Sequence, residues 1–146
     1  MKPITAFVLF VALACCAASS AVAASAPKLK APSKARVGDS ITARGSALKN
    51  GGRYSLRLVF LGQPSEGGQK IVCARQIGKR QKASGGKVTI SGKIPAKMNC
   101  YQGNGPSLGT ITVQPGSYHL ILGVPDGPTG SSAKFSFVRK ALKITK

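Results

Sequence analysis

Residues 52–62 read GRYSLRLVFLG. Tyr54, Leu56, Leu58 and Phe60 fall at every second position, with Arg53, Ser55 and Arg57 between them. Side chains alternate faces along a β-strand, whereas a helix brings together residues three or four apart. The spacing therefore predicts a strand with one apolar face, opened by a turn at Asn50-Gly51-Gly52. A second stretch repeats the pattern. Residues 116–122 read GSYHLIL, so both follow G-x-Y-x-L-x-L. In each, glycine closes a turn and tyrosine starts a strand whose leucines face one way. The echo predicts two strands that enter their sheets in the same manner.

The same alternation extends outward from these two stretches. RVGDSITARG (36–45) offers Val37, Ile41 and Ala43, and KIVCARQ (70–76) offers Ile71 and Cys73. GKVTISGKIP (86–95) places Val88 and Ile90 inward, with Thr89 and Ser91 outward. GTITVQ (109–114) offers Ile111 and Val113, and SYHLILGV (117–124) offers Tyr118, Leu120, Leu122 and Val124. AKFSFVRKALKITK (133–146) offers Phe135 and Phe137, then Leu142 and Ile144. Gly85-Gly86, Pro115-Gly116 and Gly127-Pro128 lie between the runs, where they break helices and favour turns. About seven short strands with no sustained helical period predict an all-β chain, an antiparallel β-sandwich.

On these residues the chain resembles bacterial secreted immunoglobulin-like modules. VGDSITARGSALKNGGRYSLRLVF (37–60) is similar to their opening, in which a V-G-x-x-x-x-x-x-G strand leads through a short loop to an apolar strand. QPGSYHLILGV (114–124) is similar to their later P-G-x-Y-x-L strand. The resemblance spans roughly residues 35–144 and implies an immunoglobulin-like sandwich. In that fold a tyrosine at the place of Tyr118 bonds back to the preceding corner. The chain departs from the antibody type: it has no Trp, and its cysteines lack the wide spacing of the inter-sheet pair. The resemblance implies no function, because the fold hosts many.

The N-terminus reads MKPITAFVLFVALACCAASSAVAASAPKLK. A basic start at Lys2, an apolar run over Ile4–Ala14 and an A-x-A site at Ala21-Val22-Ala23 form a secretory signal peptide. Cleavage is expected after Ala23, with Ala26 as the other site. Residues 1–23 are then the signal, 24–34 an Ala/Pro/Lys-rich flexible leader, and 35–146 the sandwich domain. The mature chain is expected to be secreted. Two other readings stand beside this one. The uncharged stretch from Pro3 to Pro27 is long enough to span a bilayer. Val11-Ala12-Leu13-Ala14-Cys15 loosely matches a lipoprotein box, which would make the chain a membrane-anchored lipoprotein with a lipid at Cys15.

Removal of the signal leaves about 120 residues, enough for one domain. Cys15 and Cys16 depart with it, and Cys73 and Cys100 remain as an even pair. In an oxidising compartment this predicts one disulfide. Closing a loop of about 27 residues stabilises by roughly 3.5 kcal/mol on chain-entropy reasoning.

Lys plus Arg number 22 against 3 acids, a formal charge of +19, which falls to +18 when Lys2 leaves. Such a surface favours polyanions: an anionic cell-wall polymer, lipid headgroups, an acidic polysaccharide or nucleic acid. KIVCARQIGKRQKASGGK (70–87) carries six basic residues and no acid. It is expected to leave a strand over Ile71–Arg75 as a basic loop, with Lys79, Arg80, Lys82 and Lys87 as candidate polyanion contacts. A second possibility is an adhesion or scaffold module that recognises a protein or glycan through loops 62–69, 77–86 and 101–108.

Catalytic chemistry finds little material. His119 is the one histidine, and strand alternation sets it on the face opposite Leu120. Asp39, Glu66 and Asp126 do not pair into an acid–base set, and Asp39, after Gly38, reads as a turn cap. There is no G-x-S-x-G, and a disulfide would consume the cysteines that zinc requires. No catalytic residue, metal site or cofactor is assigned, and a non-enzymatic role is expected. Of three Tyr and five Phe, Phe7 and Phe10 lie in the signal, and only Tyr101 breaks the core pattern. One exposed aromatic is too few to stack bases, so no sequence-specific nucleic-acid binding is expected.

Overall fold

The computed structural model describes residues 25–64, 70–102, 107–124 and 137–146. The signal segment 1–23 and Cys15 lie outside these, as do Glu66, Asp126, Phe135 and most of loop 62–69. The described chain is all-β, with strands β1 (Lys28–Lys30), β2 (Lys34–Arg36), β3 (Ser40–Ser46), β4 (Arg53–Pro64) and β5 (Lys70–Lys82). These are followed by β6 (Val88–Lys93), β7 (Lys97–Gln102), β8 (Ser107–Thr112), β9 (Gly116–Gly123) and β10 (Phe137–Thr145). They form two sheets, ordered β1-β3-β6 and β2-β10-β9-β4-β5-β7-β8. Every pairing is antiparallel except β2 with β10.

The core lies between the sheets and is built by the alternation. Ile41, Ala43, Val88 and Ile90 come from the small sheet. Tyr54, Leu56, Leu58, Cys73, Ile77, Met98, Leu120, Leu122, Leu142 and Ile144 come from the large one, and all are buried. The two sheets approach closely at Gly45, where a Cβ would overlap the side chains of Leu122 and Leu48.

The echoed stretches are neighbours. β4 and β9 pair so that Leu56 faces Leu122 and Leu58 faces Leu120. Each tyrosine bonds back to the backbone just before its strand. The Tyr54 hydroxyl accepts from the Lys49 N–H at 3.0 Å. The Tyr118 hydroxyl accepts from the Gln114 N–H at 3.1 Å and donates to the Gln114 carbonyl at 2.8 Å. A buried phenol needs a partner for its hydroxyl, and here it finds one in the turn that delivers the strand. Cys73 and Cys100 are directly opposite each other on β5 and β7 and are disulfide-bonded, their Cα atoms 3.9 Å apart. The disulfide therefore lies within one sheet. Asp39 caps its turn: its carboxylate accepts from the Arg36 N–H at 2.7 Å.

Several expectations are corrected. The described residues hold ten strands where about seven were expected. β1 pairs with β3 and β2 with β10, so part of the supposed flexible leader is built into the sheets. Leu29 and Ala31 pack on the core and Ala35 belongs to it, which is burial enough to hold these short strands. β5 does not end at Arg75. It runs on to Lys82, so 76–82 is strand, and the turn proper is the Ser84–Lys87 bridge across Gly85 and Gly86, at φ 56° and 70°. Val37, Ile111, Val124 and Phe137 are exposed rather than inward. Each lies at or next to a strand end or on the edge strand β8, where the alternation outlasts the cover of the opposing sheet.

Candidate functional site

Alternation also fixes the outer face of the large sheet. With Leu56 and Leu58 inward, Arg57 points out. With Cys73 and Ile77 inward, Ala74 and Gln76 point out; with Met98 and Cys100 inward, so do Asn99 and Tyr101. The register joins them, Arg57 beside Gln76 and Ala74 beside Asn99. Together with Arg75 and Gly78 they line an open groove of about 480 Å³. Its outward side chains are the Arg57 guanidinium, two amides and one phenol, while Arg75 stands opposite the inward Leu58. Gln76 Nε2 is already tied to the Gly78 carbonyl at 2.9 Å, and Asn99 Oδ1 accepts from the Thr110 hydroxyl at 3.3 Å. These bonds pre-orient the amides. A guanidinium recognises carboxylate or phosphate through two parallel bonds, and a phenol face suits the apolar side of a sugar ring.

A second feature is a set of opposed cations. Arg53 of β4 stands opposite Lys82 of β5, Lys30 of β1 opposite Arg44 of β3, and Lys34 of β2 alongside Lys143 of β10. Like charges directly opposite across strands are destabilising. Asp39 is the only acid among the described residues, and it is engaged with its own turn. Lys30 and Arg44, with Ala31, Pro32 and Thr42, also line a smaller depression of about 330 Å³.

The residues expected to meet a polyanion lie as follows. Lys79, Arg80 and Lys82 are exposed on the last part of β5, and Lys87 is exposed just beyond the glycine turn. Lys82 is thereby joined to Arg53, while Lys79 and Arg80 lie beyond Gly78, outside the groove lining. Sequence reading passed over Arg53, Arg57, Arg75, Gln76 and Asn99. Alternation could have shown Arg57 and Asn99 pointing outward, but which residues stand opposite is decided by strand pairing.

His119 is half-buried on the outer face, opposite Val59 and Ala141. Its Nδ1 is buried without a hydrogen-bond partner. Among the described residues no group of three or more His, Cys, Asp or Glu is placed to hold a metal ion. No helix among them is long and apolar enough to cross a membrane.

The architecture defines the chain as an all-β protein of two packed sheets. Among solved structures, macromomycin is similar, with a TM-score of 0.56 at 19% sequence identity over 82% of this chain and 100% of that one. The likeness is one of fold. No family model and no curated protein matches the chain.

Proposed function

We propose that the chain is an exported, non-enzymatic, strongly basic module of immunoglobulin-like β-sandwich type that binds anionic polymers of the cell envelope or extracellular matrix. The observation that carries this reading is the trio of opposed cation pairs, Arg53 with Lys82, Lys30 with Arg44 and Lys34 with Lys143. Each pair is an unfavourable contact that a bridging carboxylate or phosphate would turn into a favourable one. A polymer meets many such points at once, so weak contacts sum. The formal charge of +18 on the exported chain, 21 Lys and Arg against 3 acids, supports the same reading through long-range attraction. The groove between Arg57, Asn99 and Tyr101 is the place for one sugar unit of the polymer. Lys79, Arg80, Lys82 and Lys87 extend the basic track. The Ala/Ser-rich N-terminus favours a cleaved signal peptide and a secreted product, with lipidation at Cys15 as the other route to the envelope.

The test is co-sedimentation of the exported protein with an insoluble uronic-acid or phosphate-containing cell-wall polymer. Binding at low salt and release at moderate salt is the expected result. Protein that stays in the supernatant at low salt overturns the reading. A protein or glycan held through loops alone would instead resist salt.

A further inference from the structure

Among the described residues four edges end the two sheets, and three of them are guarded. Exposed edges are templates for pairing with another chain, and lysine on an edge strand is a common protection. β1 is three residues long and carries Lys28 and Lys30; β2 is equally short and carries Lys34 and Arg36. β6 ends in Lys93, and β5 bends onto it at Gly78, which lies against the Ser91 carbonyl. The fourth edge is β8. It is six residues long, SLGTIT, exposed throughout, and carries no charge. Leu108 and Ile111 on it are 52% and 36% exposed. Among the described residues no strand pairs with its outer side. Gly109, at φ 110°, breaks the first part of the strand, which leaves a regular run from Gly109 to Thr112.

The neighbouring strand β7 is uncharged from Met98 to Gln102, and its one cation, Lys97, stands opposite Thr112 at the far end of β8. A partner rich in acid would be met by cations, as the other edges could meet it. An edge stripped of charge in so basic a chain suits a partner that is itself basic.

We infer that the β8 edge is the contact surface for a second copy of this chain. Two copies pair β8 to β8 antiparallel about a twofold axis, joining their large sheets edge to edge. Such a contact is isologous, the same strand from each side, and keeps the cationic edges of the copies apart. Leu108 and Ile111 of each copy supply the apolar contact beside the backbone ladder. The interface is small, so the dimer is weak, with a Kd in the micromolar range or above. Repulsion between two strongly positive bodies opposes it, and salt screens that repulsion. Dimerisation therefore tightens with salt, opposite to polymer binding. It stands independently of the proposed function.

The experiment is sedimentation equilibrium of the exported, disulfide-intact protein from ~10 µM to ~500 µM, at low and high salt, a range that brackets a weak Kd. The expected result is a monomer–dimer equilibrium shifted toward dimer by salt and lost in Leu108→Lys and in Ile111→Lys. Leu108 lies in the exposed bulge, so its lysine variant retains the fold, which circular dichroism checks. Hydrogen exchange of the wild-type β8 amides slows as concentration rises. A protein that stays monomeric at ~500 µM in high salt overturns the inference, as does a dimer that survives the Leu108→Lys change.

Discussion

Arg53 of β4 stands directly opposite Lys82 of β5, two cations in one cross-strand pair. Stability and binding therefore pull in opposite directions at this position. Replacing Arg53 by Gln removes a repulsion, so the urea midpoint of the free protein should rise at low salt. The gain should vanish at high salt, where the repulsion is already screened. The same change should weaken retention on an anionic polymer. A midpoint that falls on substitution would mean that the pair is not a net repulsion.

The two tyrosines of the repeated motif differ in what their hydroxyls do. Tyr54 accepts one bond, from the Lys49 N–H. Tyr118 both accepts from and donates to Gln114. Tyr54→Phe should cost about 1 kcal/mol, and Tyr118→Phe about 2 kcal/mol, because it strands both a donor and an acceptor. Urea unfolding of the two variants checks the order as well as the sizes.

How far the sequence reaches can be read from these same strands. The alternation Tyr54-Leu56-Leu58 and its echo Tyr118-Leu120-Leu122 placed the core residues, since burial of every second side chain is a local property. The disulfide followed from an even pair of cysteines. The course of 76–82 did not follow, because Lys79, Arg80, Gln81 and Lys82 offer no apolar alternation. What holds them in a strand is pairing with β4 at Arg53 and Tyr54. The groove was hidden for the same reason. Arg57, Gln76 and Asn99 lie far apart in the chain and meet only through the order β4-β5-β7.

Gly78 is where β5 bends toward the small sheet. Its φ is 65°, and a Cβ there would overlap the backbone carbonyl of Ser91. A left-handed conformation costs a non-glycine residue about 1 kcal/mol, and a backbone shift of β6 to relieve the overlap costs about 1–3 kcal/mol more. Gly78→Ala should therefore destabilise by about 2–4 kcal/mol. Gly85→Ala, also at positive φ but in open space, should show only the conformational part.

The disulfide joins strands that are already paired at Ile71–Ala74. Its contribution is expected to come chiefly from the loop it closes in the unfolded chain. The double change Cys73→Ala and Cys100→Ala should lower stability by about 3 kcal/mol while keeping the β-sheet circular dichroism spectrum. Loss of the spectrum at the temperature where the parent is folded would mean that β7 and β8 depend on the bond for their pairing.

The basic track and the groove can be separated by salt. Lys79, Arg80 and Lys82 carry charge, so their contribution to polymer binding scales with ionic strength. Their joint replacement by Gln should lower the slope of log affinity against log salt. Tyr101, in the groove and 36% exposed, carries no charge. Tyr101→Ala should weaken binding by about fivefold, the equivalent of about 1 kcal/mol, by the same factor at every salt concentration. Affinity titrations of both variants across a salt series check the two signatures. If Tyr101→Ala changes nothing while the triple replacement abolishes binding, the polymer is held by charge along β5 and the groove has no part in it.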